Sequence, residues 1–314
     1  MTRLVQVRLA AATLVVCAIV PVAVCLKAGS VSFSRTGVPR LSRVHLQNTE
    51  PDPMGLPPLV FWAWERPEDF RFLDSRNVGI AFLAKTIYLV SGDTAEGSPI
   101  KFTVRPRLQP LRVAASTPLI AVVRIETPPD RRPVFYNQTS QPSPSSPVFL
   151  QTQIDQLASE IAGLHTLPSV RAIQIDYDAT VRERAFYSAL LIDLRRKLPS
   201  GFPISITALA SWCIGDPWLK QLPPGTVQEA VPMLFRMGPD AANVAHFLGS
   251  GNEFPVAACQ HSLGFSTDEI LSTNLLSGNF VGAPSSLHQK RIYVFSPRLW
   301  TQPAADAILK EWQP

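Results

Sequence analysis

The sequence predicts an eight-stranded parallel β/α barrel of the TIM type. Three observations lead there. Eight short apolar runs recur between residues 59 and 300, and helical stripes separate most of them. The runs are nearly continuous in apolar residues, as strands covered on both faces must be. Eight alternating strands close most economically into a barrel. A doubly wound open sheet is the alternative, but no glycine-rich phosphate loop follows an early strand.

The N-terminus comes first. Arg3 and Arg8 precede "LAAATLVVCAIVPVAVCL" (9–26), an uncharged apolar run. It is long for a signal-peptide core and short for a membrane span. Residues 1–27 are therefore expected to be a signal peptide or membrane anchor, placing the protein in the periplasm or on the inner membrane. Cleavage and retention both stay open. Residues 28–57 read as a Pro-, Ser- and Arg-rich tether, and 58–314 as one barrel domain.

The chain carries a formal net charge of +5. Six of its 29 basic residues (Arg3, Arg8, Lys27, Arg35, Arg40 and Arg43) lie before residue 50, where no acid occurs. The remaining 23 face 24 acidic residues, so the barrel is near neutral. No basic stripe with interleaved aromatics appears, and no nucleic-acid partner is expected.

The expected strands are 59–65, 78–90, 119–126, 170–179, 204–213, 229–237, 254–260 and 291–300. Helical patterns cover 150–165, 180–198, 216–222, 239–249, 266–276 and 303–312. Thr180 and Glu183 have capping-box spacing. Asp216 and Asp268 read as helix-start residues, and His261 as a loop residue. No helical stripe lies in 85–118, where "KFTVRPR" predicts a hairpin or loop in place of the second helix. Residues 127–148 form a long Pro/Ser loop.

Cys213 and Cys259 are the two cysteines outside the apolar leader. An oxidising compartment would let them pair. The strands expected to carry them are not neighbours in a barrel, which favours separate thiols. No His/Cys spacing suggests a metal, and no cofactor is expected.

Barrel active sites lie at the C-terminal ends of the strands. Those ends bring Trp62, Trp64, Arg124, Gln174, Asp176, Asp178, Trp212 and Arg236 towards one rim. Flat rings stack on sugar faces, while carboxylates and arginines bind hydroxyls or carry acid/base work. A polysaccharide or other glycan is thus the expected partner, with the membrane reached through the N-terminal segment. In "IQIDYDA" (173–179), Gln174, Asp176 and Asp178 share one strand face. Asp178 is the candidate acid, its pKa raised by the Asp176 anion beside it. Glu65 or Glu126 is the candidate second carboxylate. A non-catalytic glycan-binding or scaffold role is the alternative, with the Asp row paired to arginines.

The strings "QIDYDA", "SITALASWC" and "EAVPMLFRMG" together resemble the bacterial domain-of-unknown-function family 3142, from about residue 58 to the end. That resemblance implies an exported barrel-like protein without an assigned activity. More distantly, the chain resembles chitinase-like glycoside hydrolases of family 18. Gln174, Asp176 and Asp178 would fill the last three places of that family's acidic row, and Met233 would match its sixth-strand Met. The acid place holds the shorter Asp178, the Tyr place Phe235, and the Asp place Arg236. These departures imply a different glycosidase chemistry, or sugar binding without cleavage.

Overall fold

The computed structural model describes residues 54–90, 101–127, 151–269 and 290–311. Among them, eight parallel strands close into a barrel. These are β1 (Leu59–Ala63), β3 (Val78–Val90), β6 (Leu119–Glu126), β7 (Val170–Asp176), β8 (Ile204–Leu209), β9 (Glu229–Met233), β10 (Ser262–Ser266) and β11 (Arg291–Phe295). They pair in that order, and β11 returns to β1.

The expected hairpin is present. β3 runs past the barrel and pairs antiparallel with β4 (Lys101–Pro106), from Lys85↔Pro106 to Val90↔Lys101. Two short strands, β2 (Glu68–Asp69) and β5 (Leu111–Arg112), form a separate parallel pair.

Helices cover the outside. Leu157 and Ile161 of α1 (Gln151–Ala162) and Leu190, Leu191 and Leu194 of α2 (Arg184–Lys197) are fully buried. Each such leucine or isoleucine is worth about 1.5–3 kcal/mol over exposure. The α2 entry carries the expected capping box: Thr180 N–H donates to Glu183 Oε2 at 2.7 Å. α4 (Ala241–Gly249) and α5 (Gln302–Glu311) also lie where periodicity predicts helices.

Strand alternation divides the core. Leu59, Phe61 and Ala63 face the helices, while Val60 and Trp62 point into the barrel with Ala81, Ile120, Val122, Ala172, Val231 and Tyr293. Met54 and Leu56, just before β1, are buried in that inner cluster.

Two expectations are corrected. The seventh strand is Ser262–Ser266, not 254–260, where Ala257–Cys259 makes a 3₁₀ turn. Its apolar side chains, Leu263 and Phe265, face the helices. The alternate positions Ser262, Gly264 and Ser266 face inward. They are small or polar, so no continuous apolar run marks this strand. Gly264 sits where β10 meets β9, and a Cβ there would just touch the Pro232 carbonyl oxygen, at 3.4 Å. Gln260 and His261 accordingly precede the strand and sit at the opposite end of the barrel from the strand-end rim.

The second correction concerns the cysteines. Cys213 and Cys259 form a disulfide, with Cα atoms 5.8 Å apart. Neither residue is in a strand. Cys213 is in the short helix α3 (Ala210–Ile214), which follows β8, and Cys259 is in the 3₁₀ turn before β10. Both of these elements pack on β9, so the bridge spans the strand between them.

Among the described residues no helix is long and apolar enough to cross a membrane. The apolar segment 9–26, the tether up to residue 53, nearly all of the loop expected over 127–148, and the helix expected over 266–276 beyond residue 269 lie outside the described residues.

Candidate functional site

A cavity of about 450 Å³ opens at the C-terminal ends of the strands. Trp62, Trp64, Arg124, Asp176, Asp178 and Arg236 all line it. Six of the eight residues expected at the rim are therefore brought together.

Gln174 and Trp212 are not on its wall. Gln174 is fully buried, two residues deeper along β7 than Asp176. Trp212 is 2% exposed and packs edge-on against Trp218, 5.1 Å between ring centroids. The reason is local: β8 stops at Leu209, and the helical turn of α3 rotates Trp212 into the core. Trp300 is likewise buried, its indole N–H donating to the Trp62 carbonyl at 2.8 Å. Glu65 does not line the cavity and is paired with Arg105 at 2.5 Å.

An aromatic wall forms one side. Phe235 and Phe295 stack with centroids 5.7 Å apart and planes 3° from parallel. Trp62 meets Phe235 edge-on at 6.2 Å, and Trp64 meets Phe295 at 6.0 Å. The two arginines lie over this wall. The Arg124 guanidinium is 4.9 Å from the Trp64 ring centre, and that of Arg236 is 5.8 Å from Phe295.

Both arginines already have carboxylate partners. Arg124 Nε lies 2.6 Å from Glu126 and its Nη1 3.9 Å from Asp176. Arg236 reaches Asp268 at 3.1 Å, and its backbone N–H donates to Glu269 at 2.8 Å. Those contacts hold Arg236 at φ +52°, a left-handed conformation uncommon for a residue with a side chain.

The two β7 carboxylates differ. Asp176 ends the strand and accepts a hydrogen bond from Thr207 at 2.8 Å. Desolvation raises its pKa; Arg124 opposes this, the Asp178 charge adds to it, and the Thr207 bond lowers it. Asp178 lies past the strand and is exposed as a residue, yet protein crowds its carboxyl group. Desolvation raises its pKa too, with Arg124 again opposing. Among the described residues no group donates a hydrogen bond to it. The expected cause, repulsion from Asp176, is thus not what moves Asp178; that repulsion acts on the more buried Asp176.

Several wall residues were not anticipated from the sequence. Asp240, from the loop after β9, reads as a helix start after Pro239, yet it lines the cavity. Thr207 and Phe295 sit at inward positions of β8 and β11, and alternation along those strands could have found them.

No protein-family model matches the chain, and no curated protein matches it. Solved structures with a similar fold include a Streptomyces coelicolor protein assigned as chitinase A, 10% identical, covering 82% of this chain and 97% of that one at TM-score 0.47. A GH113 β-1,4-mannanase is 8% identical, covering 82% and 99% at TM-score 0.43. A GH18 chitinase from Chromobacterium violaceum is 10% identical, covering 79% and 81% at TM-score 0.41.

Proposed function

We propose that the barrel mouth binds a glycan and hydrolyses a glycosidic bond in it, with Asp178 as proton donor. One observation carries this reading: Asp176 and Asp178 share a single cavity with the ring wall of Trp62, Trp64, Phe235 and Phe295. Rings offer stacking surface to a sugar face, and carboxylic acids beside them supply the proton that a leaving oxygen needs.

A proton donor must hold its proton near the working pH, and desolvation favours this at Asp178. Its freedom from hydrogen bonds to described residues leaves it able to turn towards a substrate. Asp176, held by Thr207 and Arg124, is the better candidate for a fixed charge or hydroxyl ligand. Asp240, on an element other than β7, is the candidate for the second carboxylate of such a hydrolysis. Export belongs to the same proposal: the apolar segment 9–26 supports it, and the Cys213–Cys259 bridge fits an oxidising compartment.

The test is a screen of the purified protein, its Asp178→Asn variant and its Asp176→Asn variant against a panel of soluble polysaccharides. Reducing ends should appear with the native protein and fall about 10²-fold or more with Asp178→Asn, the scale of lost acid/base help. A second reading is glycan binding without cleavage. The pairing of both cavity arginines with carboxylates favours it, because a self-satisfied charge network needs no substrate. Binding without turnover in the native protein would select it, and absence of both would sink the glycan reading.

A further inference from the structure

A chain of polar groups runs through the inside of the barrel beneath the cavity. We propose that Gln174 is a positioning residue: it fixes the Trp62 indole in the aromatic wall of the site, and the buried Glu229–Arg291 pair sets the polarity of the link. This rests on the glycan reading above and adds to it what holds the binding surface in place.

The links are these. Trp62 Nε1–H donates to Gln174 Oε1 at 2.8 Å. Gln174 Nε2–H donates to Ser205 Oγ at 3.1 Å, and Ser205 donates to Glu229 Oε2 at 3.2 Å. The other Glu229 oxygen takes the Arg291 guanidinium, which also bonds the carbonyls of Pro57 and Leu56. Tyr293 OH donates to Glu229 Oε2 at 2.6 Å, and its ring lies 5.6 Å from that of Trp62. All of these side chains are buried.

The direction of every link follows from chemistry. An indole nitrogen only donates and a carboxylate only accepts. Ser205 has one hydroxyl proton; given to Glu229, it leaves the oxygen able only to accept. Gln174 must then turn its NH₂ towards Ser205 and its oxygen towards Trp62. A glutamine suits the place because it accepts on one side and donates on the other. A carboxylate would have no proton for Ser205 and would add a charge two residues from Asp176 on the same strand face.

Burying this many polar groups gains little stability over an apolar filling of the same volume. What the chain does supply is orientation. Of its links only Trp62 reaches the cavity wall, and its tilt sets the angle at which it meets Phe235 and Phe295.

The experiment uses the full chain with Gln174→Met and Ser205→Ala. Trp62→Phe assigns the Trp62 indole N–H signal in a proton–nitrogen correlation spectrum. Binding is measured to hexamers of N-acetylglucosamine, mannose and glucose. Gln174→Met should move the Trp62 signal and speed its solvent exchange. Affinity for the best-bound hexamer should fall about tenfold, or about 1.4 kcal/mol; where turnover occurs, KM should change more than kcat. Ser205→Ala should move the signal the same way by less, and it carries the test alone if Gln174→Met does not fold. An unmoved signal overturns the proposal. A moved signal with unchanged affinity also overturns it, since Gln174 would then be structural only. If the native protein binds none of the hexamers, the glycan reading falls, whereas the Trp62 signal still decides whether Gln174 holds the indole, so the two failures are distinguishable.

Discussion

Arg124 and Asp176 are Cα partners in the pairing of β6 with β7, and their charged groups lie 3.9 Å apart at the barrel mouth. That gap is too long for a hydrogen bond. The closer Arg124 contact is to Glu126, at 2.6 Å. Asp176 is therefore only partly compensated, which is why desolvation wins and its pKa rises.

Replacing Arg124 tests that balance. Arg124→Gln removes the main influence that lowers the Asp176 pKa. The carboxyl carbon of Asp176, followed by NMR through a pH titration, should titrate at higher pH than in the native protein. An unchanged or lower midpoint would show that Arg124 does not act on it.

The raised pKa of Asp176 also sets a pH dependence of stability. Its ordinary value is 3.8, and the folded value lies above that. Between the two, the folded state binds more protons than the unfolded state, so this residue's contribution falls as pH rises. It is fully present below the unfolded value and lost as pH passes the folded one. Asp176→Asn should remove this slope. Urea unfolding of both proteins from about pH 4 to pH 7 should show the variant gaining on the native protein as pH rises. A stability difference that is constant with pH would contradict this.

Asp178→Asn should separate stability from turnover. Asp178 has no hydrogen-bond donor among the described residues, and desolvation raises its pKa, so the variant should not be destabilised and, like Asp176→Asn, should gain on the native protein as pH rises. Glycan turnover should fall about 10²-fold or more. A destabilised variant with full turnover would reassign Asp178 as structural.

The Cys213–Cys259 bridge closes a sequence separation of 46 residues. The chain-entropy account gives about 4 kcal/mol for a loop of that length. Cys213→Ser should lower the urea midpoint accordingly, and the native protein should gain mass on reduction and alkylation. Alkylation of both thiols without reductant would show that the bridge is not formed in solution.

Much of the barrel was legible in the sequence because burial on two faces writes itself as apolar runs. "LVFWAWE", "LIAVVRIE" and "IQIDYDA" mark strands at sight, and Thr180 with Glu183 marks a helix start, since these patterns depend on near neighbours in the chain. The strand-end rule then gathered Trp62, Trp64, Arg124, Asp176, Asp178 and Arg236 without a structure. Elsewhere the pattern weakens. Ser262–Ser266 has no apolar run because its inward positions are small or polar, and Trp212 lies in a strand-like run because "SITALASWC" stays apolar through a helical turn. Other features depend on contacts that no local pattern encodes. The disulfide spans β9, Asp240 reaches the cavity from a loop, and Trp62 bonds Gln174 across 112 residues. Periodicity reports which face of a strand is covered; only the closure of the sheet decides which side chains meet inside it, because barrel tilt and register are properties of all eight strands together.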